Sequence, residues 1–165
     1  MNTNPPSGFD EQVIIPVTFL SHDENEAMEL DQNVSVEFIR SDPYEMHFSC
    51  ILIPRFNSHK LTGDLANYLP QWLLQVCISH GWRMEHYRVD SDYLGWVLCV
   101  SPSDSPDRFM KIIRDNTSEF ILSNFGHIRR ENLANDFWAP GYMVVSGSKP
   151  ITEEIVDRYI RLARR

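Results

Sequence analysis

Residues 90–100 read DSD followed by YLGWVLCV (93–100). Three small polar residues make a turn, and the eight that follow are almost continuously apolar. A strand with one wet face alternates polar and apolar. This run does not, so it reads as a strand at the centre of a sheet, buried on both sides. Residues 82–89 alternate enough to form the strand that feeds the Asp90-Ser91-Asp92 turn.

Further upstream, 46–54 (MHFSCILIP) is apolar and β-branched and reads as a strand ended by Pro54. Leu69, Trp72, Leu73, Val76 and Cys77 follow at the spacing of one helix face. Pro70 starts or kinks that helix, and Gly81 stops it. Downstream, Ser105 is placed as an N-cap, with Pro106 and Asp107 in the first turn. Phe109, Ile112, Ile113, Phe120 and Ile121 form the apolar stripe of this second helix, which ends before Gly126. A polar loop at 129–135 leads to a strand at 142–146 and a turn at 147–150. The last helix has Thr152 as N-cap, Glu153 and Glu154 in its first turn, and Arg158, Arg161, Arg164 and Arg165 towards its end. The order β-α-β-β-α-β-α predicts an α+β fold. It is a ferredoxin-like split βαβ sandwich, an antiparallel sheet with helices on one face.

The chain has 165 residues, 42% of them hydrophobic, enough for one domain with a core. No apolar run of about eighteen residues occurs, so no membrane insertion is expected. The start, MNTNPPSGFDEQ, lacks a basic n-region and an apolar h-region, which predicts a cytoplasmic protein. The formal charge is −8. Residues 1–45 hold ten acidic residues against Arg40, whereas 46–165 hold 14 basic and 13 acidic ones. This divides the chain into an acidic N-terminal extension (1–45) and a near-neutral domain (46–165). The extension contains two strand-like stretches, 13–20 and 34–39, which suit a hairpin, and a Pro5-Pro6-Ser7-Gly8 segment that should be disordered. Cys50, Cys77 and Cys99 lie inside apolar runs and read as buried free thiols, with no CxxC zinc pattern.

Several strings of the body, in order, resemble the single-tyrosine HUH transposases of small bacterial insertion sequences and their REP-associated relatives. They are 48–56 (FSCILIPRF), 105–118 (SPDRFMKIIRDNTS), 137–148 (FWAPGYMVVSGS) and 153–160 (EEIVDRYI). The resemblance implies that Tyr159 stands at the position of the tyrosine that attacks a DNA phosphodiester. It also implies a divalent metal, which polarises the phosphate. The family's two histidines fall on Tyr93 and Gly95, and its third ligand on Ala163. None of these replaces the expected ligand: glycine and alanine have no donor, and a neutral phenol is a poor one.

Tyr159 also has a plain structural reading, since Ile155, Val156, Tyr159, Ile160 and Leu162 are the apolar positions of the last helix. His86, Asp90 and Asp92 gather near the hairpin, but Asp-Ser-Asp is ordinary turn chemistry. No metal and no cofactor is therefore expected. Candidate nucleic-acid contacts are Lys111 and Arg114, by resemblance, and Arg158, Arg161 and Arg165 at helical spacing. Asp115 and Glu119 flank the first pair and weaken phosphate binding there. The expected function is that of a domesticated, catalytically inactive relative. It would keep the homodimer and bind a DNA or RNA hairpin or single strand. The alternatives are a protein-interaction subunit that reuses the fold, and an active transposase using Tyr159.

Overall fold

The computed structural model describes residues 44–165, which form one compact unit. The stretches 13–20, 34–39 and 5–8 lie outside the described residues. The elements are β1 (Met46–Leu52), α1 (Gly63–Ser79), β2 (Arg83–Val89), β3 (Leu94–Val100), α2 (Pro106–Asn124), α3 (Gly126–Glu131), β4 (Met143–Ser146) and α4 (Glu153–Ala163). The four strands form one sheet in the order β2-β3-β1-β4, each antiparallel to its neighbour. This is the split βαβ arrangement.

All seven residues of β3 are buried, as its lack of alternation requires. Alternation in β1 sorts side chains onto two faces. Phe48, Cys50 and Leu52 join Leu94, Trp96 and Leu98 in a main core covered by α1 and α2. Leu69, Leu73, Val76 and Cys77 of α1 are buried in it, and so are Phe109, Ile113 and Ile121 of α2. Trp72 is half-buried and stacks between Tyr68 at 5.7 Å and Phe120 at 5.6 Å. On the opposite face Ile51, Ile53, Tyr93, Ala139 and Val156 form a second cluster, against which Tyr159 and Ile160 pack. The two crossover helices share one face, and the additional helix α4 lies on the other.

The Ser105 hydroxyl caps α2 by accepting from the Arg108 amide at 3.3 Å. Thr152 holds the N-cap position of α4 without a side-chain bond. Pro70 lies inside α1 rather than at its start. Gly126 does not merely follow α2: it opens the short helix α3, where the polar sequence suggested a loop. Leaving α1, the chain turns at Gly81 with φ 71°, a conformation that favours glycine. Among the described residues no helix is long and apolar enough to cross a membrane.

Candidate functional site

The face of the sheet that carries α4 holds the residues singled out by resemblance. β3 enters with Tyr93 and Gly95, β1 runs beside it with Ser49 and Ile51, and the register pairs Ile51 directly with Gly95. A cleft of about 310 Å³ lies over this point, lined by Ser49, Ile51, His86, Arg88, Tyr93 and Gly95 and closed by Pro150 and Ile151. The Ile151 amide donates to the Ser49 hydroxyl at 3.1 Å and fixes that wall.

A second cleft, of about 270 Å³, lies between the β2–β3 turn and α4. Asp90, Asp92, Glu153 and Asp157 line it, with Arg88 and Arg161 as the opposing cations. Arg88 pairs with Glu153 at 2.5 Å and Asp90 at 3.8 Å, and its guanidinium lies 5.8 Å from the centre of the Tyr93 ring. Lys60 hydrogen-bonds Asp92 and, with help from Ser91, holds that carboxyl below its usual range.

The donor set does not fit the metal that the resemblance implies. Tyr93 is buried, and desolvation pushes its phenol above the ordinary tyrosine value, so it stays neutral. A Cβ built on Gly95 would stand 3.0 Å from Ile51 Cδ1 and 3.5 Å from Tyr93 Cε2. Gly95 itself offers no donor, and a side chain there would need the Ile51 end methyl to give by a few tenths of an ångström. Ala163 is exposed in the last turn of α4 and offers no donor.

Tyr159 packs in the same apolar cluster as Tyr93 but lines neither of these clefts. Burial raises its pKa, only partly countered by Arg114. That favours the neutral phenol over the nucleophilic phenolate.

The basic candidates divide into two groups. Arg114 is turned inward: it hydrogen-bonds the Asp136 carboxylate, the Ala139 carbonyl at 3.0 Å and the Gly141 carbonyl at 3.4 Å. Lys111 is exposed and pairs with Asp115 at 2.6 Å. Arg158, Arg161 and Arg165 are exposed along α4, and Arg161 reaches the acidic cleft. Arg164 donates to the Pro54 carbonyl at 3.4 Å.

Sequence reasoning missed Asp136. Its carboxylate accepts from Arg114, from the Ser118 hydroxyl at 3.0 Å and from the Trp138 amide at 3.0 Å. The Ser118 hydroxyl also accepts from the Phe137 amide at 3.0 Å, and the Trp138 indole donates to Thr117 Oγ1 at 2.8 Å. This network holds 137–139 in extended form beside 53–55, through Arg55 N to Phe137 O (2.9 Å) and Ala139 N to Ile53 O (2.8 Å). Thr117 and Ser118 are thereby buried within the fold.

Comparison with known proteins agrees with this architecture. The chain is 18% identical over 117 residues to the ISDra2 transposase TnpA of Deinococcus radiodurans, covering 71% of this chain and 83% of that protein. Its structure is similar to that of a candidate transposase from Deinococcus radiodurans R1, with a TM-score of 0.64 and 20% identity over 76% of this chain and 95% of the other. A REP-associated tyrosine transposase bound to a REP hairpin aligns with a TM-score of 0.47 and 11% identity, over 75% of this chain and 67% of that one. Residues 42–162 match the family described as Transposase IS200 like, and the chain belongs to that family.

Proposed function

We propose that this member of the family does not cut DNA and acts instead by binding nucleic acid, as a hairpin or single strand. The observation that carries the loss of cleavage is the missing donor at Gly95, which has no side chain and has Ile51 Cδ1 3.0 Å from where one would start. Metal-assisted phosphodiester chemistry needs that donor. Binding needs only cations and shape. The exposed α4 arginines Arg158, Arg161 and Arg165 offer a cationic face at helical spacing. A homodimer belongs to the same proposal.

The test uses a fluorescent DNA stem-loop with the untagged full chain, read in two ways. Anisotropy across a salt series should show binding that weakens with salt. Joint replacement of Arg158, Arg161 and Arg165 by Ala should reduce the slope by about one unit for each of these arginines that neutralises a phosphate. A denaturing gel with magnesium or manganese should show no covalent adduct. An adduct that disappears in Tyr159→Phe would overturn the proposal, and so would the absence of salt-sensitive binding.

One observation favours a second reading, an interaction module for a basic protein. The cleft beside α4 sets four carboxylates against two guanidinium groups, a field that repels phosphate. A defined protein partner retained from cell extract after nuclease treatment would support that reading.

A further inference from the structure

At the end of the sheet about 13 Å from Gly95, four residues along β1 and β3, three strands bring unlike donors to one point. Register sets His47 of β1 opposite Cys99 of β3, and Cys99 opposite Arg83 of β2. Glu45 precedes β1, and Glu85 sits at the irregularity between Met84 and His86 in β2. One ligand atom each from Glu45, His47 and Cys99 lies within 4.8 Å of the others. Glu85 Oε1 is 3.2 Å from His47 Nε2.

The Arg83 Nη2 atom stands among them, 2.9 Å from Glu45, 3.1 Å from Glu85 and 3.5 Å from the Cys99 sulfur. A positive nitrogen therefore already marks the position a cation would take. Beyond these contacts to the donors themselves the Arg83 side chain is 49% exposed, so once they are exchanged for a metal it can swing into solvent. Two of the donors are fixed by the sheet: Cys99 is buried and pairs with His47 one step from the end of the β1–β3 ladder.

We propose that Glu45, His47 and Cys99, with Glu85 as fourth donor, bind a divalent ion of the zinc class by displacing the Arg83 guanidinium. The chemistry of the set selects the ion. One thiol, one imidazole and two carboxylates suit zinc, cobalt or nickel, whereas magnesium and calcium take oxygen donors. Glu45, His47 and Cys99 supply three gathered donors, and Glu85, beside His47, would turn towards the ion to supply the fourth of a tetrahedral site. On binding, the Cys99 S–H bond breaks, its proton passes to solvent, and a sulfur–metal bond forms without any oxidation. Burial pushes the free thiol up to about 12, so the metal must drive this ionisation and binding must weaken in acid. None of Tyr93, Gly95 or Ala163 takes part, so the outcome is independent of whether the chain cleaves DNA.

Cobalt(II) is the probe, because a thiolate ligand gives it a charge-transfer absorption. With the untagged, reduced full chain, one equivalent of cobalt should produce that absorption, and zinc should abolish it by competition. Cys99→Ser should lose it, His47→Ala should weaken binding at least about tenfold, and Arg83→Gln should tighten it. A rise in Tm with zinc that is absent in Cys99→Ser provides a second reading. No absorption at one equivalent, its survival in Cys99→Ser, or weaker binding in Arg83→Gln would each overturn the proposal.

Discussion

Ile51 and Gly95 face each other across the β1–β3 ladder, and the Ile51 Cδ1 atom stands 3.0 Å from the place where a Cβ on residue 95 would lie. The two positions are complementary: the Ile51 end methyl rests close over the glycine and has to move aside for any larger residue there. Restoring the histidines alone should therefore fail. Tyr93→His/Gly95→His, made in the Cys99→Ser background to silence the strand-end cluster, is expected to bind manganese no better than the parent. Adding Ile51→Ala opens the space and should give measurable binding by calorimetry. It should also cost about 2–4 kcal/mol of stability, because Ile51 is a buried core residue. Binding by the double-histidine variant without the Ile51 change would refute this account.

Tyr159 is held by packing. It lies half-buried against Ile51, Ile53 and Val156, and no hydrogen bond to its hydroxyl is found among the described residues. Tyr159→Phe removes only that hydroxyl and should change the free energy of unfolding by no more than about 0.5 kcal/mol. Tyr159→Ala removes the ring and should cost about 2 kcal/mol. Urea titrations of the two variants separate these effects. A large loss in the Phe variant would mean that the hydroxyl has a structural partner.

How much of this was legible in the sequence follows from the range of the forces involved. The 93–100 run, the Ser105 cap and the Asp90-Ser91-Asp92 turn are local signals; the cap and the turn are found where the sequence places them, and the strand begins one residue later, at Leu94. Trp72 and Phe120 fall on their predicted apolar stripes but remain half-buried, because they stack on each other at the edge of the core. Amphipathicity named the apolar positions of α4 but not their fates. Val156 is fully buried, whereas Ile155 and Leu162 are exposed at 49% and 55%. The clusters around Asp136 and Arg83 were not legible. Ser118 and Asp136 come from α2 and the segment before β4, and His47, Arg83 and Cys99 from three strands. Only tertiary register brings them together. Arg114 carried a basic reading suited to phosphate, yet Asp136 and two carbonyls take up its donors.

Asp136 should be among the costliest polar residues to remove. Its carboxylate is the common acceptor for a guanidinium, a hydroxyl and a backbone amide. The Arg114 side chain is only 15% exposed, so Asp136→Ala would leave a largely enclosed cation without its counter-charge. The expected loss is about 2–4 kcal/mol in urea unfolding. Asp136→Asn keeps an acceptor oxygen for the Ser118 and Trp138 donors and should lose less. Pairing with Arg114→Met should recover part of the loss in a double-mutant cycle, since the enclosed cation is then gone. A loss below about 1 kcal/mol in Asp136→Ala would show that the segment 137–139 is held mainly by its apolar side chains.

The Arg83 cluster makes a pH prediction with a definite sign. Burial alone would raise the Glu45 and Glu85 carboxyls, but hydrogen bonds from Arg83, joined at Glu85 by one from His47, outweigh it and hold both below the ordinary glutamate range. A folded-state value below the unfolded one means that the pairing stabilises the fold fully at neutral pH. That contribution is lost as the pH falls through the depressed folded-state values. Arg83 is half-exposed, so solvent screening limits the contribution to about 1 kcal/mol. Arg83→Gln, measured with a chelator present to exclude metal, should therefore be less stable than the parent by about 1 kcal/mol near pH 7. The difference should shrink towards zero below about pH 4, where the carboxyls of both proteins become protonated. Urea titrations of the two proteins between these limits test it. A difference that grows on acidification would mean that Arg83 acts through packing of its stem, because a charge pair cannot strengthen as its carboxylates are neutralised.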